Sequence, residues 1–216
     1  MKNFIKKDLY LLLFVLLPFI YLYSIYGSLP QDVPVHWDIN GQVDSVKDKV
    51  YLILLPILLP LLTYLILTVM PKVDPKKELD TSTKKHRQLK GTLTTLMSGV
   101  SLFILYTIKN ESDIDLNSVI LLVGAMYVVM GNFMNTIRPS YFLGIRTPWT
   151  LENEEVWKVT HQFGGKIWFI GGSLLVCTSL LFNQSITVWV FMLITGIVSI
   201  TPVVYSYLEF KKRKAV

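Results

Sequence analysis

Six long apolar runs, separated by short polar connectors, dictate what this chain can fold into. They lie at roughly 9–26, 50–70, 92–108, 117–137, 167–182 and 186–208 and carry few charges. A helix needs about 20 predominantly apolar residues to cross a bilayer. The runs occupy most of the 216 residues, of which 52% are hydrophobic and 17% charged. That composition excludes a soluble domain of this size. The expected fold class is all-α, an integral membrane protein of six transmembrane helices. Lys2, Lys6 and Lys7 precede the first run as they would in a signal peptide, but no small-x-small cleavage site precedes Gly27, so the run reads as a retained helix. The single cysteine, Cys177, falls in the fifth run, so no intramolecular disulfide can form.

A net charge of +6 would suit nucleic acid or an anionic surface, but its distribution argues for topology instead. Lys72, Lys76, Lys77, Lys84, Lys85, Arg87 and Lys90 crowd the connector between the second and third runs, and Lys211, Lys212, Arg213 and Lys214 follow the sixth. The connector after the first run carries Asp32, Asp38, Asp44 and Asp48, and the one after the third carries Glu111, Asp113 and Asp115. Alternate connectors therefore differ in Lys and Arg content, as the positive-inside rule requires. Six spans with both termini in the cytoplasm satisfy every connector. The partners this implies are the lipid bilayer and no nucleic acid.

The first outer connector contains Pro30 and Pro34, the turn pair Asn40-Gly41, and Val33, Val35 and Trp37 alternating with polar neighbours. It predicts a short strand-turn excursion. Pro56 and Pro60 predict a bend in the second span. Asn132 and Asn135 share a face near the end of the fourth and should point at other helices or a polar cleft. Beyond Pro139 comes Gly144-Ile145-Arg146-Thr147-Pro148-Trp149-Thr150. Thr147 and Pro148 fit an N-cap and first helical residue, while Thr150, followed by Glu152, Glu154 and Glu155, offers a second start. The helix should stop at Gly164-Gly165. With Leu151, Val156, Val159 and Phe163 on one stripe and Trp149 and Trp157 added, it reads as an interfacial amphipathic helix between the fourth and fifth spans.

Catalytic signatures are sparse: no phosphate loop, no paired helical histidines and no nucleophile elbow is present. No catalytic activity and no cofactor are expected. His36, Asp38 and Asp44 are candidate metal ligands from the outer face; the alternative makes His36 an interfacial anchor and the aspartates turn caps. Arg146 beside a helix start is either an anion or partner site or an internal brace to Asn135 or to helix-end carbonyls. His161, four residues after Trp157, is either a proton switch or a packed histidine.

Two stretches carry a family likeness. Leu29-Pro30-x-x-Val33-Pro34-x-His36-Trp37-x-x-x-Gly41-x-x-Asp44 resembles a widespread bacterial membrane domain of unknown function. Gly131-Asn132, then Gly144 to Leu151 with Val156-Trp157 and Thr160-His161, resembles the C-terminal half of the SdpI family. The resemblance implies a six-helix protein that protects the cell from a secreted, membrane-active toxin peptide, the sporulation-delaying toxin in the family's defining case. It also implies signalling by holding a cytosolic transcriptional repressor at the membrane. In that reading the toxin meets His36, Trp37, Asp38, Gly41 and Asp44. The cytosolic partner meets a face drawn from Asn132, Asn135, Arg146, Thr147, Pro148, Trp149, Thr150, Trp157 and His161. The organisation expected is an N-terminal membrane region at 1–70, a basic cytoplasmic loop at 71–90 and an SdpI-like membrane region at 91–216. The rivals are a small transporter or channel with Asn132, Asn135 and Arg146 along its path, and a metal-dependent membrane enzyme built on His36.

Overall fold

Backbone groups can be satisfied in lipid only within helices or closed barrels, and the apolar runs take the helical solution. The computed structural model describes residues 2–73, 84–110 and 114–214; Lys76, Lys77, Glu111 and Asp113 of the charge pattern lie outside the described residues. The chain opens with α1 (Lys2–Ile25) and a hairpin of β1 (Asp32–Trp37) and β2 (Val43–Asp48). A 3-10 segment at Lys49–Ile53 leads into α2 (Leu54–Pro56), a π segment at Ile57–Leu61 and α3 (Leu62–Val73). There follow α4 (Lys84–Lys109), α5 (Leu116–Met134), α6 (Pro148–Glu152), α7 (Glu154–Leu181) and α8 (Gln184–Lys214). Six stretches of the described residues are long and apolar enough to cross a membrane: Leu9–Ser28, Lys49–Val69, Lys84–Lys109, Leu116–Met134, Glu154–Leu181 and Gln184–Lys214. Lys84, Lys85, Arg87 and Lys90 are thus helical, and Lys90 is buried with its ammonium 5.3 Å from the centre of the Tyr64 ring.

Two compact units emerge. The first comprises Met1–Leu67 and Lys90–Leu116. Its core gathers Leu22, Ile25, Leu29, Val33, Leu52, Leu105 and Ile108. α4 offers a buried face of small hydroxyl residues, Thr94, Ser98 and Ser101, that lets backbones approach closely, and Ser98 Oγ donates to Phe14 O at 2.6 Å. The disturbance expected from Pro56 and Pro60 appears as the π segment. Proline 60 cannot donate, and the Leu62 N–H reaches Ile57 O five residues back.

The second unit comprises Thr68–Leu89 and Asn117–Val216. Within it, α5 and α7 run antiparallel along a glycine seam. A Cβ on Gly131 would lie 2.7 Å from Gly165 O, and one on Gly172 would lie 2.6 Å from Gly124 O. The two contacts are seven residues apart on both helices, the repeat of a left-handed helix pair. α7 is tied to α8 by Trp168 Nε1 donating to Val198 O at 3.0 Å and by stacking of Phe163 on Tyr205.

This seam corrects one expectation. Gly164-Gly165 does not stop a helix: α7 runs unbroken from Glu154 to Leu181, so the expected interfacial helix and the fifth span are one element. Glycine ends a helix by taking positive φ, and the only described glycines that do so are Gly41 and Gly144. Gly164 and Gly165 instead make room, the first for Ile145 and Met134, the second for the α5 backbone. Leucine at Gly131 or Gly172 must force the helices apart, so each variant is expected to lose about 1–3 kcal/mol. Leucine at Gly196, where a side chain meets nothing within 4 Å, should lose almost none. Denaturant unfolding in detergent measures this; equal midpoints for all three variants would refute the seam.

Candidate functional site

The first unit carries a hairpin over an apolar pocket. Antiparallel pairs run from Asp32 with Asp48 to Trp37 with Val43, and irregularities between Pro34 and His36 and between His36 and Trp37 re-aim the side chains. Val33 enters the core fully buried, while His36 faces outward with 69% of its side chain exposed. At the tip Gly41 takes φ +81°, and its carbonyl accepts from Ile114 N at 3.2 Å. Asp38 folds the turn: its Oδ1 accepts from Asn40 N at 2.8 Å and Gln42 N at 2.9 Å. The Gln42 bond foremost holds the Asp38 carboxyl below the usual aspartate range.

The candidate metal set is not assembled. His36 Nδ1 meets Asp44 Oδ1 at 2.6 Å, but Asp38 is turned back into its own loop, and no group of three potential ligands converges among the described residues. Spacing alone could not reveal that an Asx turn occupies Asp38.

Beneath the hairpin lies a cavity of about 410 Å³, walled by Pro34, Val35, Trp37, Tyr51, Leu55, Leu58, Leu59, Ile104 and Ile108 among others, with Lys47 as its charged member. The Trp37 indole Nε1 is buried and has no acceptor among the described residues. The pocket wall is almost wholly apolar and can take an apolar segment.

The second unit carries the Gly144–Thr150 motif as a closed knot. Thr147 caps α6: its Oγ1 accepts from Thr150 N at 3.2 Å, and Thr150 Oγ1 accepts from Thr147 N at 2.9 Å while donating to Ile145 O at 2.8 Å. Pro148 takes the first helical position. The second helix start lies at Asn153, whose Oδ1 accepts from Glu155 N and Val156 N, and not at Thr150. Asn-Glu-Glu before an apolar residue was the signal for it. Thr147 Oγ1 also meets Ser206 Oγ at 3.0 Å, and Trp149 packs on Tyr207.

Trp157 and His161 stack at 4.1 Å beneath this loop, both buried. Trp157 Nε1 donates to Ile137 O at 2.9 Å. His161 Nδ1 faces Trp157 O at 2.8 Å and Nε2 accepts from Ile145 N at 2.9 Å. A carbonyl only accepts, so Nδ1 carries the proton and the ring is neutral; a second proton would break the Ile145 bond. Gly144, at φ +105°, lies where any Cβ would strike the His161 ring. Arg146 is exposed, and its Nη1 donates to Tyr141 O at 2.6 Å. It braces its own loop, not Asn135.

Asn132 and Asn135 lie apart from the knot, exposed on a cleft that Lys166 also lines and Arg146 does not. Those three polar residues of the transporter reading therefore do not share one lining. Lys166 escapes notice in the sequence because the glycine pair before it suggests a connector.

Residues 136–206 match the SdpI/YfhL protein family, and residues 13–59 match Domain of unknown function (DUF1648). The first match contains the knot and its Ser206 partner; the second contains the hairpin and most of the pocket wall. Over 215 residues the chain is 25% identical to the Immunity protein SdpI of Bacillus subtilis (strain 168), covering 96% of this chain and 97% of that protein. No solved structure matches the chain.

Two outcomes follow from the geometry. Thr150→Val strands the Thr147 N–H and the Ile145 carbonyl and should cost about 1–3 kcal/mol, whereas Arg146→Gln, at an exposed site, should cost well under half as much; thermal unfolding ranks them, and the reverse order would remove the knot from its bracing role. A folded-state pKa lowered at Asp38 means its contribution is complete above the ordinary aspartate range and is lost as pH falls through the lowered value. The protection of the Asn40 and Gln42 amides against exchange, taken relative to the intrinsic rate at each pH, should therefore fall at acidic pH in the native protein but show no such dependence in Asp38→Asn. Identical pH profiles in the two would contradict this.

Proposed function

We propose that the chain, whose residues 136–206 match the SdpI/YfhL protein family and which is 25% identical to an immunity protein over 96% of its length, is a membrane immunity protein that shields the cell from a secreted, membrane-active peptide. The single observation that carries this reading is the apolar cavity under the hairpin. A membrane-active peptide offers apolar side chains to fill such a cavity. Lys47 at the same cavity suits an acidic residue or C-terminal carboxylate of the peptide.

In this proposal both termini are cytoplasmic and the hairpin faces outward, as the basic tail Lys211, Lys212, Arg213 and Lys214 favours. The exposed His36–Asp44 pair and the Asp38 turn form the rim met first by the peptide. A cytosolic repressor, the second partner of the reading, would dock on the charged surface of Arg146, Glu152, Glu154 and Glu155, all exposed. Capture of the peptide needs no bond-breaking step and no metal.

Protection of a toxin-sensitive strain lacking its own immunity gene tests the proposal, using a sporulation-delaying-type peptide. Wild type should raise the tolerated dose. Leu55→Trp, which fills the cavity, should abolish protection at equal membrane abundance. Full protection by the filled variant would place peptide capture elsewhere.

A further inference from the structure

The continuity of α7 changes what Lys166 is. It is the thirteenth of the 28 residues from Glu154 to Leu181, inside a helix apolar enough to cross a membrane. Ionisable groups in such a helix are expensive unless paired, hydrated or held at headgroup level, and they mark function more often than packing. Lys166 is exposed and no hydrogen bond or ion pair is made by its side chain among the described residues. The same holds for the side chains of Asn132 and Asn135.

These three residues converge. The backbones of α5 and α7 touch at Gly131 and Gly165, and beside that contact opens a cleft of about 410 Å³. Asn132, Asn135 and Lys166 supply its polar wall, and Phe169 and Ile170 its apolar one. An ammonium and two carboxamides offer several N–H donors. No carboxylate lines the cleft to meet them. On α7 the nearest acid, Glu155, is eleven residues away, about 16 Å along the helix at 1.5 Å per residue. Glu209 on α8 is already paired with Arg213. Among the described residues the cleft therefore has no anionic partner and is open to an anion from outside the chain.

Position narrows its chemistry. Asn132 lies in the last turn of α5 and Asn135 immediately beyond its end at Met134. This is where the chain leaves the apolar layer, so the polar wall falls at headgroup depth and Phe169 and Ile170 follow along α7. We propose that this cleft binds a phosphate anion, supplied by the headgroup of an anionic phospholipid. Lys166 acts as the point charge, the two asparagine amides donate to the phosphate oxygens, and the acyl chain runs past Phe169 and Ile170.

The test uses full-length protein purified in a neutral detergent and titrated separately with phosphatidylglycerol, phosphatidylcholine and inorganic phosphate. Native mass spectrometry and thermal unfolding are both read. Wild type should retain one phosphatidylglycerol and gain several degrees of stability, with at least tenfold weaker response to phosphatidylcholine. Lys166→Gln and Asn132→Leu/Asn135→Leu should lose the bound lipid and the shift, Lys166→Arg should keep both, and Lys158→Gln, exposed on the same helix away from the cleft, should behave as wild type. A response to inorganic phosphate equal to that of phosphatidylglycerol assigns the same site to a soluble anion. Retention of the lipid and the shift by Lys166→Gln, or an equal loss in Lys158→Gln, overturns the site.

Discussion

The irregular backbone between α5 and α6 is the constraint on which the second unit depends. From Asn135 to Thr147 the chain has no helical ladder, yet Ile137, Ser140 and Thr147 are buried, and each orphaned N–H or carbonyl out of reach of water there carries a desolvation cost. Side chains from the following elements take over the ladder's work. Trp157 serves the Ile137 carbonyl, His161 the Ile145 N–H, Thr150 the Ile145 carbonyl and the Thr147 N–H, and Ser140 the N–H groups of Phe142 and Leu143. Because each of these side chains is fixed by α6, α7 or the loop itself, the network holds the loop and the helix starts as one body. Gly144 is the geometric condition for it, since only a residue without a Cβ lets the chain pass the His161 ring at positive φ.

Much of this was readable in the residues, and the exceptions share a cause. Thr147-Pro148, the Asn40-Gly41 turn, the alternating Val33 and Trp37 and the proline pair of the second span each act through their nearest neighbours in sequence. Local chemistry of that kind survives folding. Gly164-Gly165 is the opposite case. The residue that stops a helix by adopting positive φ is also the one that lets two helices touch, and only the facing Gly131 decides between the uses. The misplaced boundary in turn concealed Lys166. His36, Asp38 and Asp44 failed as a ligand set for a similar reason: proximity in sequence did not disclose that Asp38 spends its oxygens on Asn40 and Gln42.

The knot and the hairpin pocket make contrary use of buried polar groups. In the knot the threonines, the tryptophan and the histidine find partners within the chain, which fixes a single arrangement and leaves little for a ligand to gain. Under the hairpin, Trp37 contributes to a wall but its Nε1 finds none among the described residues. Of the residues gathered around the Gly144–Thr150 motif, only Arg146 and its exposed neighbours retain surface for another molecule. The motif is specific because it closes a loop, and the specificity of its order does not require a ligand.

The glycine seam and the polar cleft are one feature seen from two sides. Where Gly131 meets Gly165 the helices contribute no side chains to the contact, so their backbones come within van der Waals distance. Residues next in sequence, Asn132 and Lys166, then stand beside the seam instead of across it, and no bulky neighbour is available to cover them. One turn further into the apolar layer Phe169 flanks the same seam and closes the cleft from below. Close packing at a helix exit therefore manufactures a recess whose outer part is polar and whose inner part is apolar. That ordering matches a phospholipid, whose charge and chains are arranged in the same sequence along the membrane normal.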